Sequence, residues 1–548
     1  MTRALGRLGS APVYLPAAMI AVGGWVHRWM NEDAYIYLRI VDQVLAGHGP
    51  VFNAGERVEA ATSPLWLAVL VVARAVFGPV VRAEWIAVVA SLVAAVAAFV
   101  IAGLATRLLH GRSDGIVVPV GLLLVAGVSV MWDFSTSGLE MGLVFLFLAA
   151  CWFVLVSVAR SERVEGRRRA AFGAVLGLAP LVRPELGLTM VCTVVAWFVL
   201  VQPRRIRFDL VAIFALPVAY QIFRMGYYAS LVPSTALAKD AGGLHVRQGL
   251  NYAEDFVGAY HLWVTALLIV AALVIMRIGE RDRRLAIATT AILAGGALQA
   301  AYITAVGGDY MHGRLLLPAF FAVALPASIS IRRGALIQMT IGGLVGAWAL
   351  ASVIAFRPPP PASSYRLTDI ADWRTVSGAK VVLNDVAYGL NGHEAAAAYT
   401  DGVRGYFRAV DKQPRAANDP NAFVVTMGSI GAPAYNAGRR IWVVDIGGLA
   451  EPLAARAEIV PDRPAGHRKE VDSAWYDARF AAPTATDSPE AVAARRALAC
   501  GPVADVLEAV NDDLTPGRFL SNIWHSFEFT RLHIPSDPIV AEQRWCPP

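Results

Sequence analysis

Two stretches of the chain gather reactive side chains. The first is Trp25-Val-His-Arg-Trp-Met-Asn-Glu-Asp-Ala-Tyr-Ile-Tyr-Leu-Arg39, in which Glu32 and Asp33 are adjacent. Neighbouring carboxylates repel, so one of the two pKa values should rise unless a cation or basic side chain compensates. Such a pair suits general-base, nucleophilic or metal-binding work and could hold a divalent cation; no other cofactor is implied. The plainer role is to cap a helix expected over 34–45, where acids in the first turn are common. The second stretch is Gly308-Asp-Tyr-Met-His-Gly-Arg314, which gathers Asp309, Tyr310, His312 and Arg314. An arginine there can bind a phosphate oxygen bidentately and a histidine can donate to another. For Arg314 alone, a side chain reaching its charge to the membrane interface is the plainer role. Arg183-Pro-Glu185 occupies a short turn, where an Arg183–Glu185 salt bridge competes with substrate binding by Arg183. Lys239, Asp240 and His245 lie in a long connection over 225–260 that could cover a substrate or be a solvated loop. No GxxxxGK[ST] nucleotide loop, HExxH zinc helix or GxSxG elbow is present, so soluble nucleotide-driven chemistry is a poor expectation.

The elements that position these residues are apolar. Of 548 residues, 56% are hydrophobic and 16% charged, with a mean hydropathy of +0.51, more than a soluble domain needs to fill its core. The sequence predicts a mainly α, polytopic membrane protein with about eleven spans near 11–28, 84–106, 115–132, 139–159, 169–183, 186–202, 208–224, 261–277, 284–306, 314–330 and 335–356. Arginines cluster in alternate connections: Arg3 and Arg7; Arg107 and Arg112; Arg160 to Arg169; Arg204, Arg205 and Arg207; Arg277 to Arg284; Arg332 and Arg333. The positive-inside rule makes that face, and the N-terminus, cytoplasmic. The net charge of +6 is then accounted for by topology, and nucleic acid is not expected as a partner. Segment 62–79 contains Arg74 and ends in Gly78 and Pro79; counting it as a span would misplace the later basic loops, so an interfacial or re-entrant helix is expected.

An odd number of spans starting inside puts the tail outside. A first domain over 1–356 is followed by a Pro-rich linker at 357–365, containing Pro358 to Pro361, and a tail domain over 366–548. Lys380 to Val386, Ala422 to Gly428 and Arg440 to Gly448 are short β-rich runs, so the tail is expected to be a mixed α/β domain. Cys500 and Cys546 are its only cysteines. Outside the cytoplasm such a pair can form a disulfide; the alternative is two buried free thiols.

The irregular segment Leu45-Ala-Gly-His-Gly-Pro-Val-Phe-Asn-Ala-Gly-Glu-Arg-Val-Glu-Ala-Ala-Thr-Ser63 resembles the GT-C glycosyltransferases, and within them the actinobacterial terminal β-(1→2) arabinofuranosyltransferases. The likeness extends to Gly307-Gly-Asp-Tyr-Met-His-Gly-Arg-Leu-Leu-Leu-Pro-Ala-Phe320, Asn522-Ile-Trp-His-Ser-Phe527 and His533-Ile-Pro-Ser-Asp537. It implies a GT-C fold and transfer of arabinofuranose from decaprenyl-phosphate-arabinofuranose to non-reducing ends of cell-wall arabinan. Asp33 would then be the catalytic carboxylate, with Glu32 in support; that family's acidic pair is two aspartates, so Asp33 is the safer carry-over. Arg314, His312 and Arg39 would meet the donor phosphate, and Asp309, Tyr310, Glu59, Lys239 and Arg183 the substrates. Competing expectations are a transferase of another polyprenyl-phosphate sugar such as mannose, or a non-catalytic envelope transporter or assembly protein. A transporter would place polar groups near the bilayer midplane and often repeat its halves; here the acids fall at span ends and no repeat is visible.

Overall fold

The computed structural model describes residues 11–111, 115–201, 206–239, 243–279, 281–331, 336–356, 380–382, 385–387, 423–460 and 469–547. The linker at 357–365, with Arg3, Arg7, Arg112, Arg204, Arg205, Arg332, Arg333 and Asp240, lies outside them, as do Leu383, Asn384 and Ala422 of the β-rich runs. The chain is mainly helical and divides into two compact units. One comprises Met1–Met30, Glu84–Pro217 and Leu244–Val381; the other comprises Asn31–Ala83, Val218–Gly243 and Val382–Pro548.

The first unit holds most of the apolar helices. Among the described residues, Ala83–His110, Met141–Ala159, Ile206–Tyr228, Arg283–Ala305 and Leu336–Ile354 are long and apolar enough to cross a membrane. Val246–Ala259 and Leu262–Ile278 meet at 79° and together could supply one more span. Close helix approach relies on missing side chains: a Cβ on Gly142 would meet the Ser91 carbonyl oxygen at 2.1 Å, the small-residue contact on which apolar helices pack in lipid. Phe321 packs against Phe99 and Phe145 with ring centroids 5.2 and 5.5 Å away.

Other expected spans carry shorter elements. Residues 115–132 form the strand Ile116–Val118 and the helices Val120–Ala126 and Ser129–Phe134. Pro119 and Gly127 supply the breaks. Residues 314–330 hold only the helix Leu317–Ala324, then the strand Ile329–Ile331, which pairs antiparallel with Ile116–Val118. Hydropathy registers the apolar content of both segments and is blind to the strand pairing. The expected long loop over 225–260 is largely helical instead, at Ser234–Ala238 and Val246–Ala259. In the latter Gly249, Tyr252 and Phe256 are buried, a spacing of three and four that makes one packed stripe.

The second unit gathers the first connection with the tail. Pro64–Phe77 is a 14-residue helix, capped by the Ser63 hydroxyl accepting from the Trp66 N–H. At about 1.5 Å per residue it is too short for a bilayer of about 30 Å. Two parallel strands, Phe423–Met427 and Ile441–Asp445, pair in the register Val425 to Val443. Leu453, Trp475, Val503 and Ile534 are buried together in an apolar core. At its margin Cys500 and Cys546 form a disulfide with Cα atoms 5.5 Å apart.

Candidate functional site

Within the second unit, the acid pair opens the helix Ala34–Leu45. Asn31 organises the turn: its Oδ1 accepts from the Asp33 N–H at 2.8 Å, and its carbonyl accepts from the Ala34 N–H at 3.1 Å. Asp33 stands at the N-cap position yet makes no capping hydrogen bond through its side chain, so the capping role is not what its carboxylate does. Glu32 is an anchor. Its Oε1 accepts from the Ser429 hydroxyl at 2.7 Å and the N–H groups of Gly431 and Ala432 at 2.6 and 3.2 Å. Burial, and then the charge of Asp33, push its carboxyl up to about 7 against the pull of those three bonds. The repulsion between the neighbours is thus felt at Glu32.

Ser429 and Gly431 follow the strand Phe423–Met427, and Asp445 ends its parallel neighbour. Asp445 is buried, accepting from the N–H groups of Gly447 and Ala450 at 2.9 and 2.8 Å. Burial pushes it up to about 6, with a smaller push from the charge of Asp33. The acid loop thus meets the carboxyl ends of a parallel strand pair, the edge at which open α/β sheets carry their ligands.

Two expected ligands in this unit have other employment. The Arg39 guanidinium is buried and spends all five of its N–H donors. Nε donates to the Phe52 carbonyl at 3.0 Å; Nη1 donates to Ala434 and Gly438 at 2.6 and 3.0 Å; Nη2 donates to Ile441 and to Asn53 Oδ1 at 2.6 and 3.3 Å. It has no donor left for a phosphate. Burial lowers its pKa to about 10, so it keeps its charge at neutral pH. Glu59 is buried with both oxygens engaged: Oε2 by Arg224 Nε at 2.6 Å, and Oε1 by Arg224 Nη2 and the Tyr220 hydroxyl at 3.1 and 2.6 Å. That makes it a fastener of the loop to the helix Ile206–Tyr228, where a substrate contact was expected. Lys239 is half-buried just past the helix Ser234–Ala238.

In the first unit Asp309, His312 and Arg314 are all buried. Arg314 Nε donates to Asp309 Oδ2 at 2.6 Å, while Asp309 Oδ1 accepts from the Tyr310 N–H at 3.0 Å. Tyr310 itself is half-buried. Arg314 therefore does not reach for an interface. His312 Nδ1 lies 2.5 Å from Asp255 Oδ2, and its Nε2 is buried with no hydrogen-bond partner among the described residues. The Tyr252 hydroxyl donates to the Met311 carbonyl and accepts from the Leu315 N–H, both at 3.0 Å, which fixes the turn. Arg183 is held between Glu140 and Glu185; the ion pair, widened to two carboxylates, replaces the expected substrate contact. Among the described residues no group of three or more His, Cys, Asp or Glu side chains is arranged to hold a metal ion.

Sequence reasoning missed Asp255, Ser429 and Asp445. Asp445 had a local signal, an acid closing a β-rich run just before Gly447 and Gly448. Asp255 and Ser429 had none, because only the folded chain brings them to His312 and Glu32.

A family model described as the AftB family C-terminal domain matches residues 402–543. The terminal β-(1→2)-arabinofuranosyltransferase of Mycobacterium tuberculosis is 32% identical over 95% of this chain and 95% of its own length. That of Corynebacterium glutamicum is 31% identical over 94% of this chain and 84% of its own. No solved structure matches the chain.

Proposed function

The chain belongs to the terminal β-(1→2)-arabinofuranosyltransferase family, and on that premise we propose that it transfers arabinofuranose from decaprenyl-phosphate-arabinofuranose to non-reducing ends of cell-wall arabinan, closing terminal β-(1→2) linkages. The observation that carries this is similarity running nearly end to end, through the apolar helices and the tail alike. The proposal includes a GT-C arrangement of about eleven spans, a cytoplasmic N-terminus and an extracytoplasmic tail domain over 366–548. Its support is the clustering of arginines in alternate connections.

Asp33 is the proposed catalytic carboxylate. It is half-buried, follows a turn pinned by Asn31, and stands beside a Glu32 already committed to holding the loop. If donor and product are both β-linked, one in-line displacement gives the wrong anomer. Either Asp33 forms a covalent glycosyl intermediate or the acceptor attacks on the leaving-group face. Arg314 and His312 are proposed to meet the donor phosphate, whose negative charge grows as the sugar leaves. Purified protein given radiolabelled donors tests the reading: transfer from the arabinosyl carrier and none from the mannosyl one is expected. The reverse pattern would replace it with mannosyl transfer, and transfer from neither would favour an assembly role.

A further inference from the structure

The helix Pro516–Arg531 carries apolar residues on two faces. Asn522, Ser526 and Phe529 are buried. Asn522 Nδ2 donates to the Gly226 carbonyl at 3.0 Å and to the Ala509 carbonyl at 3.1 Å. Phe519 packs so closely that a Cβ on Gly226 would meet its ring at 2.3 Å. At about 100° per residue, Leu520, Trp524 and Phe527 fall on the other side, and they are 67%, 80% and 52% exposed. Exposed His525 and Glu528, with half-buried Ser521, line one flank between the two faces. A helix that only closes a soluble domain has no use for a second apolar stripe, and a tryptophan four-fifths exposed needs a partner.

What lies beside that stripe identifies the partner. Gly226 is in the last turn of Ile206–Tyr228, a helix long and apolar enough to cross a membrane. Val218 and Ile222, on the same stretch of that helix, are themselves exposed apolar side chains. The helix that carries the stripe thus packs, through Phe519 and Asn522, on the last turn of a helix of membrane-spanning length. Tryptophan and phenylalanine there sit with their rings at the headgroup boundary, as in amphipathic helices lying in the interface. Arg531, at the end of the helix, falls on the side of the stripe, where anionic headgroups can meet it, while Arg518 is paired with Asp512.

We propose that Pro516–Arg531 is a monotopic membrane anchor, with Leu520, Trp524 and Phe527 inserted into the bilayer surface at the end of the span Ile206–Tyr228. This accounts for the Asn522-Ile-Trp-His-Ser-Phe527 segment, which neither the acid loop nor the phosphate turn uses. Its asparagine grips the protein and its aromatic residues grip lipid.

The test uses the full chain, with Cys151 and Cys192 replaced by serine, reconstituted in phosphatidylethanolamine and phosphatidylglycerol vesicles. Trp524→Cys, Phe527→Cys and Glu528→Cys are each labelled with a nitroxide, and collisions with oxygen and a water-soluble nickel chelate are compared. Labels at 524 and 527 should collide preferentially with oxygen, and the label at 528 with nickel. Equal nickel access at all three positions would overturn the anchor. So would a label at 524 that is open to nickel in the vesicles and becomes shielded only on adding a soluble arabinan oligosaccharide, since that result would make the stripe an acceptor platform.

Discussion

Replacing Arg39 with lysine separates a backbone clamp from a phosphate ligand. The guanidinium donates to four carbonyls and to Asn53 Oδ1, and it lies over the Phe52 ring at 4.7 Å. An ammonium group has three donors and no planar fork, so at least two of these contacts are lost. Hydrogen bonds to a charged group contribute about 1.5–3 kcal/mol each and are not additive, so a loss of roughly 3 kcal/mol is expected. For a unit of this size that is a fall of roughly 6–12 °C in the thermal midpoint. The assay is thermal unfolding of the purified protein in detergent, followed by intrinsic fluorescence, with donor KM measured at a temperature where both proteins are folded. The clamp predicts a lowered midpoint and nearly parental donor KM. An unchanged midpoint with a tenfold or greater rise in donor KM would refute the clamp and restore Arg39 as a phosphate ligand.

Asp33→Asn should lower turnover by about 10²-fold or more without moving the midpoint, because the side chain makes no cap; near-parental turnover by the purified variant removes Asp33 from the chemistry. Arg314→Ala is predicted to destabilise, since it strands the buried Asp309 carboxylate, so Arg314→Lys is the informative change. It should weaken donor use by about tenfold at a near-parental midpoint, and unaltered donor kinetics would release Arg314 from the phosphate. Glu32 has a carboxyl raised to about 7 by burial, so its contribution to stability is complete below about pH 4.5 and is lost as pH rises through 7. The midpoint should fall between pH 5 and 8, less steeply in Glu32→Gln, which keeps an acceptor oxygen; identical slopes in the two proteins would contradict the assignment.

What the sequence shows and what it hides follow from the range of the interactions involved. The apolar helices were legible because their signal is local composition. The end of the helix Pro64–Phe77 was legible for the same reason, since Gly78 and Pro79 stand just after it. The division of 115–132 was not, because its strand pairs with residues 329–331 and no local pattern announces a partner two hundred residues away. The same distinction holds at the site. Glu32 and Asp33 stood out as neighbours in sequence, and the repulsion between them was predictable. What anchors Glu32, by contrast, are Ser429, Gly431 and Ala432, some four hundred residues away along the chain. Arg39 and Glu59 have protein partners where ligands were expected, because a charged side chain near a membrane surface suggests a ligand while burial in this chain gives each a partner; for Arg183 the expected pairing with Glu185 is present.

The tail is part of the acid loop's construction. The irregular segment that follows the helix Ala34–Leu45 has left-handed glycines at Gly47, Gly49 and Gly55 and borrows its support from the tail as well. Arg57 donates through its N–H to the Val510 carbonyl at 2.9 Å and through Nη2 to Ala509 at 2.9 Å, while Asn53 exchanges two hydrogen bonds with Val443. Gly431 is the tightest of these joints, because a Cβ there would meet the Glu32 carbonyl oxygen at 2.0 Å and its Oε1 at 2.5 Å. Backbone cannot yield cheaply to such contacts, so Gly431→Ala must push the Glu32–Asp33 turn away from the strand ends. A misplacement of about 1 Å can cost about 10²-fold in rate. Gly431→Ala is therefore expected to lower kcat by that order with little change in donor KM, although it lies far along the chain from Asp33. Circular dichroism should show the helices retained. Parental kcat in Gly431→Ala would mean that the acid loop holds its geometry without the tail, and the placement of Asp33 would then need another cause.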